Sequence, residues 1–190
     1  MDRRAQIMKG KFINKKIDYT GEQLRSKFAR KFNLSGDTIV AFIGGANVVE
    51  HMVDLEDIGN NEFIFADSML HFIVEHKEAD LEKAVLRQRL LISLIKQLIN
   101  GVYKKRSVIM DGDDLYSGNR KLSVSIATKS PKTTLIHVGL NITQKGTPVK
   151  TVGLSDLGIK PKALAKKVIS AYINEVFDIK HATKKVKKVK

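Results

Sequence analysis

The chain contains no cysteine. That excludes disulfides, thiolate-bound metal and any covalent route through a cysteine thioester. Tryptophan is also absent, aromatic residues make up only 6% of the chain, and proline occurs three times. So few rings argue against a base-stacking platform. No run of eighteen apolar residues exists, so no membrane-spanning helix is predicted. The N-terminus opens Asp2-Arg3-Arg4 with no apolar segment behind it, which is not the pattern of a secretory signal. With the missing cysteine, this predicts a cytoplasmic protein that has no membrane partner.

What is present describes an ordinary globular chain. Its 190 residues suit one domain, with 43% hydrophobic and 28% charged residues. The net charge of +14 is unevenly placed. Residues 180–190 hold six lysines and no acid, residues 1–16 hold six bases against Asp2, and the stretch between is only slightly basic. Residues 179–190 therefore read as a basic tail beyond a single domain at 1–178. A solvated lysine block is one account of the tail, and attraction to a phosphate backbone is the other.

Hydrophobic period organises the domain. Lys11 to Tyr19 reads as a strand. Thr20-Gly21-Glu22-Gln23 has capping-box spacing, and Leu24, Phe28 and Phe32 follow at helical intervals. Thr38 to Gly44 reads as a buried strand that opens into glycines, and Val48 to Val53 as a short strand before an acidic loop. Glu62 to Glu75 reads as two strands with a turn at Asp67-Ser68. Asp80 to Asn100 is the clearest helix, with Leu81, Ala84, Val85, Leu91, Ile92, Ile95, Leu98 and Ile99 on one stripe and Gly101 as its cap. Ser107 to Met110 reads as a short strand, and 111–119 as an ordered loop or hairpin. Lys121 to Thr128 and Thr133 to Thr143 alternate with period two. Pro148 to Val152 fits an edge strand, and Pro161 opens a last helix. Short links between strands require antiparallel pairing. The fold class is α+β, a mostly antiparallel sheet with helices packed on one face.

The alternation predicts two polar faces. Lys121, Ser123 and Ser125 should share one side of their strand, and His137, Gly139 and Asn141 one side of theirs. A short turn would bring these faces together. Gly139 inside a strand marks close approach by a ligand or by another backbone. A solvent-facing sheet surface carrying an ordinary lysine is the alternative.

The stretch from Asp113 to Asn141 resembles the core of biotin and lipoate protein ligases. Asp113-Asp114-Leu115-Tyr116, Arg120-Lys121-Leu122 and Gly139-Leu140-Asn141 follow the order of the biotin-ligase Asn-Asp, Arg-Lys-Leu and Gly-Ile-Asn motifs. Upstream, Gly44-Gly45-Ala46, Asp57-Ile58-Gly59-Asn60 and Phe63-Ile64-Phe65 are similar to the glycine run, Leu-Gly-Asn and apolar strand of lipoate ligases. Departures include Asp113 in place of asparagine, Glu56 in place of histidine and Ser123 in place of a small residue. The glycine-arginine loop of biotin ligases is missing. As a whole, the chain is similar to an uncharacterised, largely archaeal family of this superfamily.

The resemblance implies a class II synthetase-like, biotin-ligase-like domain that binds a small carboxylic acid of the biotin, lipoate or fatty-acid kind. It implies ATP with Mg²⁺ as cofactors, and an acyl-adenylate-forming ligase or a diverged relative. Lys121 would meet the substrate carboxylate and the α-phosphate. Asp114 would stand beside nucleotide and metal, and Gly44, Gly45, Asn60, Ser123, Gly139 and Asn141 would line the pocket. An acceptor protein is the implied partner, and a dimer is compatible with it. The octanoyl-transfer branch needs a cysteine and is excluded. Because class II tRNA synthetases share this core, a non-catalytic RNA-binding protein using the basic termini is the alternative.

Other clusters fit chemistry less well. Asp111, Asp113 and Asp114 lack the glutamate of a Ca²⁺ loop. Glu50, His51 and Asp54 lack a second histidine for zinc. His71 and His76 lie in an apolar stretch and read as structural histidines. Gly44-Gly45 is not followed by the Gly-Lys-Ser/Thr of a phosphate loop.

Overall fold

The computed structural model describes residues 7–48, 51, 53, 55, 59, 64–104, 107–147 and 149–189. Among the described residues are two sheets and two long helices. The strands are β1 (Met8–Lys16), β2 (Asp37–Val48), β3 (Ile64–His76), β4 (Ile109–Asp111), β5 (Asp114–Ser117), β6 (Arg120–Lys121), β7 (Ser123–Lys129) and β8 (Thr134–Asn141). The helices are α1 (Leu81–Val102) and α2 (Pro161–Ala182). The larger sheet has the order β1-β2-β3-β8-β7, and β4-β5-β6 form a smaller one. Among the described strands β1 pairs in parallel with β2 and the other strand pairs are antiparallel, while isolated parallel bridges join Tyr19 to Ala46 and Lys121 to Thr151. The expected α+β class, with helices on one face, is what the chain forms.

The helices cover one face of the large sheet. Ile39, Ala41, Leu70, Phe72, Ile136, Val138 and Leu140 pack there against Leu91, Ile92 and Ile95 of α1 and Leu164, Val168 and Tyr172 of α2. Leu115 and Leu122 extend this core beneath the small sheet. Asp80 caps α1, its side chain accepting from the Lys83 N–H at 3.0 Å. Gly101 lies within α1 rather than ending it. Leu81 and Val85, assigned to the buried stripe by period, are 42% and 37% exposed. α2 begins at Pro161 as expected and continues past residue 178 to Ala182. It is held at its middle and near its far end: the Tyr172 hydroxyl lies 3.0 Å from His76 Nε2, and Lys180 Nζ 2.8 Å from Asp37 Oδ2.

Three expectations are corrected. The segment after Tyr19 is not an α-helix: only Phe28–Phe32 forms a 3₁₀ turn. Gln23 does accept from the Thr20 N–H at 2.9 Å, but Gly21, Lys27 and Asn33 all take positive φ and break any longer helix. The Glu62–Glu75 stretch contains one strand, β3, which runs straight through Asp67 and Ser68. Residues 142–145 hold it extended: Asp67 N–H donates to Lys145 and Ile142 N–H to Ser68. The strand beginning at Lys121 is broken at Leu122, so Lys121 belongs to the small sheet and Ser123 to the large one.

Candidate functional site

The second face of the large sheet, turned away from the helices, is set by register. Cross-strand partners share a face. Gly44, Met69 and Asn141 form one row, and Phe42, His71, Gly139 and Val124 the next. Val40, Ile73, His137 and Ile126 form the third. Part of this face is closed by Tyr19, Leu24 and Phe28. Beside it, Ala46, Ala66, Met69 and Val124 make a small apolar patch.

His137, Gly139 and Asn141 do share a face, as the alternation predicts. Ser123 and Ser125 do not join them. They pair with Leu140 and Val138 and so point toward α1. Ser123 is fully buried, and its hydroxyl accepts from the Leu115 N–H at 2.8 Å. Ser125 meets Gln88 of α1, whose Nε2 donates to Ser125 Oγ at 2.6 Å and to Asp113 Oδ2 at 2.8 Å. The hairpin register, Lys129 opposite Thr134, pairs Val124 with Gly139 and so turns the serines to the other face, and the break at Leu122 separates Lys121 from them.

Lys121 is fixed by its backbone on both sides. It pairs with Tyr116 in the small sheet, its N–H donates to Lys150 and its carbonyl accepts from Val152. The Asn141 side-chain amide also donates to that carbonyl, at 3.4 Å. The Lys121 ammonium lies 2.8 Å from Asp114 Oδ2, with the two side chains 31% and 21% exposed. Burial pushes the Asp114 carboxyl above the ordinary carboxylate range, and the Lys121 hydrogen bond and charge oppose that rise without cancelling it. Asp113, one residue earlier, is turned the other way, to Gln88, Ser125 and, at 3.7 Å, Arg89.

The glycines have identifiable reasons. A Cβ on Gly44 would stand 1.9 Å from the Ile17 carbonyl oxygen, so this glycine admits the 17–19 backbone rather than leaving open space. Gly45 N–H donates to Asp18 Oδ1 at 2.8 Å. Above Gly139 the space is taken by Met69 Cε, 2.9 Å from a built Cβ, with His137 and Val124 beside it. Met69 is thus the movable part of this floor. Asn60, with Asp57 and Ile58, lies outside the described residues, as do Glu50 and Asp54. His51 lies 3.6 Å from Glu22.

A stack of rings went unseen in the sequence. Tyr19 lies over His137 with ring centroids 3.7 Å apart and over His71 at 5.3 Å. His71 Nδ1 and His137 Nε2 are 3.1 Å apart, so one nitrogen donates to the other. Burial pushes His71 down to about 4, with the Gly44 and Gly45 backbone and Asp18 pulling weakly the other way. Burial and the His71 charge hold His137 well below the imidazole range. Both rings are neutral at pH 7. Gln88 was also missed, although it is a polar residue standing at an apolar-stripe position of α1, 3% exposed.

A five-stranded sheet backed by two helices, with a small antiparallel sheet beside it, has the fold of biotin and lipoate protein ligases. The biotin protein ligase of Aquifex aeolicus in complex with biotin and ATP superposes with a TM-score of 0.59 at 15% identity, covering 90% of this chain and 70% of the ligase. Across biotin and lipoate ligases the TM-scores run from 0.54 to 0.59 at 11–17% identity, which establishes the fold. Residues 8–187 match the family described as Domain of unknown function (DUF366), and the chain belongs to that family. Two of its relatives are archaeal. Uncharacterized protein MJ0805 of Methanocaldococcus jannaschii is 37% identical over 183 residues, 92% of this chain and 82% of that protein. A protein of unknown function from Pyrococcus horikoshi superposes with a TM-score of 0.91 at 38% identity, covering 96% of this chain and 100% of that one.

Proposed function

We propose that the domain binds a small carboxylic acid beside Lys121 and, with ATP, activates it as an acyl-adenylate. The supporting observation is the Lys121–Asp114 pair, 2.8 Å apart on a doubly pinned strand, with Asn141 against the same backbone. In the step, a carboxylate oxygen attacks the α-phosphorus. The bond from that phosphorus to the bridging oxygen breaks, and pyrophosphate leaves with the electron pair. No proton or redox equivalent is exchanged, so the protein's task is to offset charge. A compact ammonium with three donors suits two converging anions. Asp114 holds that ammonium in place before they arrive.

The other residues divide by position. Asn141 and Gly139 belong to the sheet face nearest Lys121, Gly44 and Gly45 are taken up by the 17–19 backbone and Asp18, and Met69 is the side chain an acyl chain would displace. Ser123 works from behind the sheet, holding the Leu115 N–H next to Asp114. Among the described residues no group of three His, Cys, Asp or Glu side chains could hold a metal. A Mg²⁺ ion would therefore arrive with the nucleotide phosphates and take at most Asp114, which suits its habit of keeping waters and phosphate ligands. An acceptor protein would be a separate chain.

Pyrophosphate release from ATP and Mg²⁺ tests this with biotin, lipoate, octanoate and shorter acids. Acid-dependent release should fall about a hundred- to a thousandfold in Lys121→Ala, with an unchanged circular dichroism spectrum. Equal release by both proteins removes Lys121 from the chemistry. Failure of every acid to raise release or the melting temperature ends the ligase reading.

A further inference from the structure

The opposite edge of the large sheet carries a second surface. β1 is the outer strand there, and it bears Lys9, Lys11, Lys15 and Lys16 with no acid in its nine residues. Residues 160–174, which cap and begin α2, add Lys160, Lys162, Lys166 and Lys167, again with no acid. The two elements meet closely because position 10 is glycine: a Cβ there would stand 2.4 Å from Ile169 Cγ2. Between them runs a groove of about 400 Å³ lined by Gly10, Lys11, Phe12, Asn14, Lys162, Lys166 and Ile169. Lys162 donates to Asn14 Oδ1 at 3.0 Å and stands 5.6 Å over the Phe12 ring. Lys9, Lys11, Lys15, Lys160, Lys166 and Lys167 are exposed and make no salt bridge among the described residues.

We propose that this lysine-walled groove between β1 and α2 docks the phosphate backbone of a nucleic acid, without reading its bases. Lysines on an edge strand also discourage strand-to-strand aggregation, but that reason does not reach the α2 lysines across the groove. Interfaces with folded proteins are depleted in lysine and built around aromatic anchors. Here the single ring is already capped by Lys162. The same capping removes a stacking platform, which leaves charge as the driving force. Nine extended residues span roughly 30 Å, long enough to track several consecutive phosphates. The surface lies at the other edge of the sheet from Lys121, so it stands or falls independently of the ligase reading.

The test is fluorescence anisotropy of the full chain with labelled 20-nucleotide oligouridylate, oligoadenylate and a 20-base-pair duplex, from 50 to 300 mM KCl. Two variants are compared. Lys11→Ala/Lys162→Ala/Lys166→Ala removes three charges from the groove. Lys184→Gln/Lys185→Gln/Lys187→Gln/Lys188→Gln removes four from the tail. The groove variant should lose about tenfold in affinity at 100 mM salt, and its log–log salt slope should shrink by about two. The tail variant, despite losing more charge, should lose less. Oligouridylate and oligoadenylate should bind alike. The proposal is overturned if the groove variant binds like wild type, or if the tail variant loses more than the groove variant. It is equally overturned if phosphatidylserine vesicles or polyglutamate bind as tightly as the oligonucleotides and lose as much in the groove variant.

Discussion

Lowering the pH from 7.5 to 5.0 should destabilise this domain by about 2 kcal/mol through His71 alone. In the unfolded chain a histidine takes up its proton near pH 6.5. In the folded chain His71, fully buried against Phe42, Tyr19 and His137, does so only at about 4. Between those values the unfolded state binds the extra proton, so stability falls as pH falls, by up to about 1.4 kcal/mol per pH unit. Above pH 7 the contribution vanishes, and below pH 4 the loss is complete. His137 and His76, also held below the ordinary range by burial, act in the same direction and enlarge the loss. Urea unfolding followed by circular dichroism at pH 7.5 and 5.0 measures it. The His71→Phe variant separates the contribution: phenylalanine keeps the stack but cannot be protonated. It strands the His137 nitrogen at a pH-independent cost of about 1–3 kcal/mol, yet its pH-dependent loss should be about 2 kcal/mol smaller than that of wild type. A wild-type stability that is flat or rises toward pH 5, or a variant with the same pH slope, refutes the assignment of a neutral His71.

Glycine substitutions on the same face should split. Gly44→Ala forces a Cβ against the Ile17 carbonyl and should cost about 3 kcal/mol, whereas Gly139→Ala meets only the end of Met69 and should cost under about 1.5 kcal/mol, both read from urea midpoints. Tyr172→Phe removes the hydroxyl bound to His76 Nε2 and should cost about 1 kcal/mol by the same measurement. Gln88→Leu leaves Asp113 and Ser125 without their donor from α1 and should cost about 1–3 kcal/mol. Because Asp113 adjoins Asp114, Gln88→Leu should also lower acid-dependent pyrophosphate release.

Regular elements with long-range period were legible in the sequence. α1 and α2 each carry an apolar stripe over six turns, and β8 alternates over its whole length, so its His137, Gly139 and Asn141 could be placed on one face. What failed was local. The 20–32 segment has a capping box and helical spacing, but positive φ at Gly21, Lys27 and Asn33 leaves only a 3₁₀ turn. Propensity cannot register such a break when two of the three residues are a lysine and an asparagine. At Leu122 the chain passes from one sheet to the other, and the hairpin register that sets Lys129 opposite Thr134 puts Ser123 and Ser125 on the helix side. The ring stack joins Tyr19, His71 and His137 from three separate strand contexts, and no short-range pattern links them.

The two adjacent aspartates show why the motif was more readable than the site. In an extended strand neighbouring side chains point to opposite faces. Asp113 closes the turn between β4 and β5, whereas Asp114 opens β5, and the two side chains find different partners. Asp113 turns toward α1, where it is held by Gln88 and Ser125. Asp114 turns to Lys121. An asparagine at 113 could hydrogen-bond but could not attract Arg89, which stands 3.7 Å from the Asp113 carboxylate. The acidic residue at this position thus ties the turn to α1 by charge as well as by hydrogen bonds. Of the two adjacent aspartates, the one that departs from the biotin-ligase motif faces Gln88 of α1, and its neighbour faces Lys121. Divergence there changes how the turn is fastened and leaves the Lys121–Asp114 pair in place.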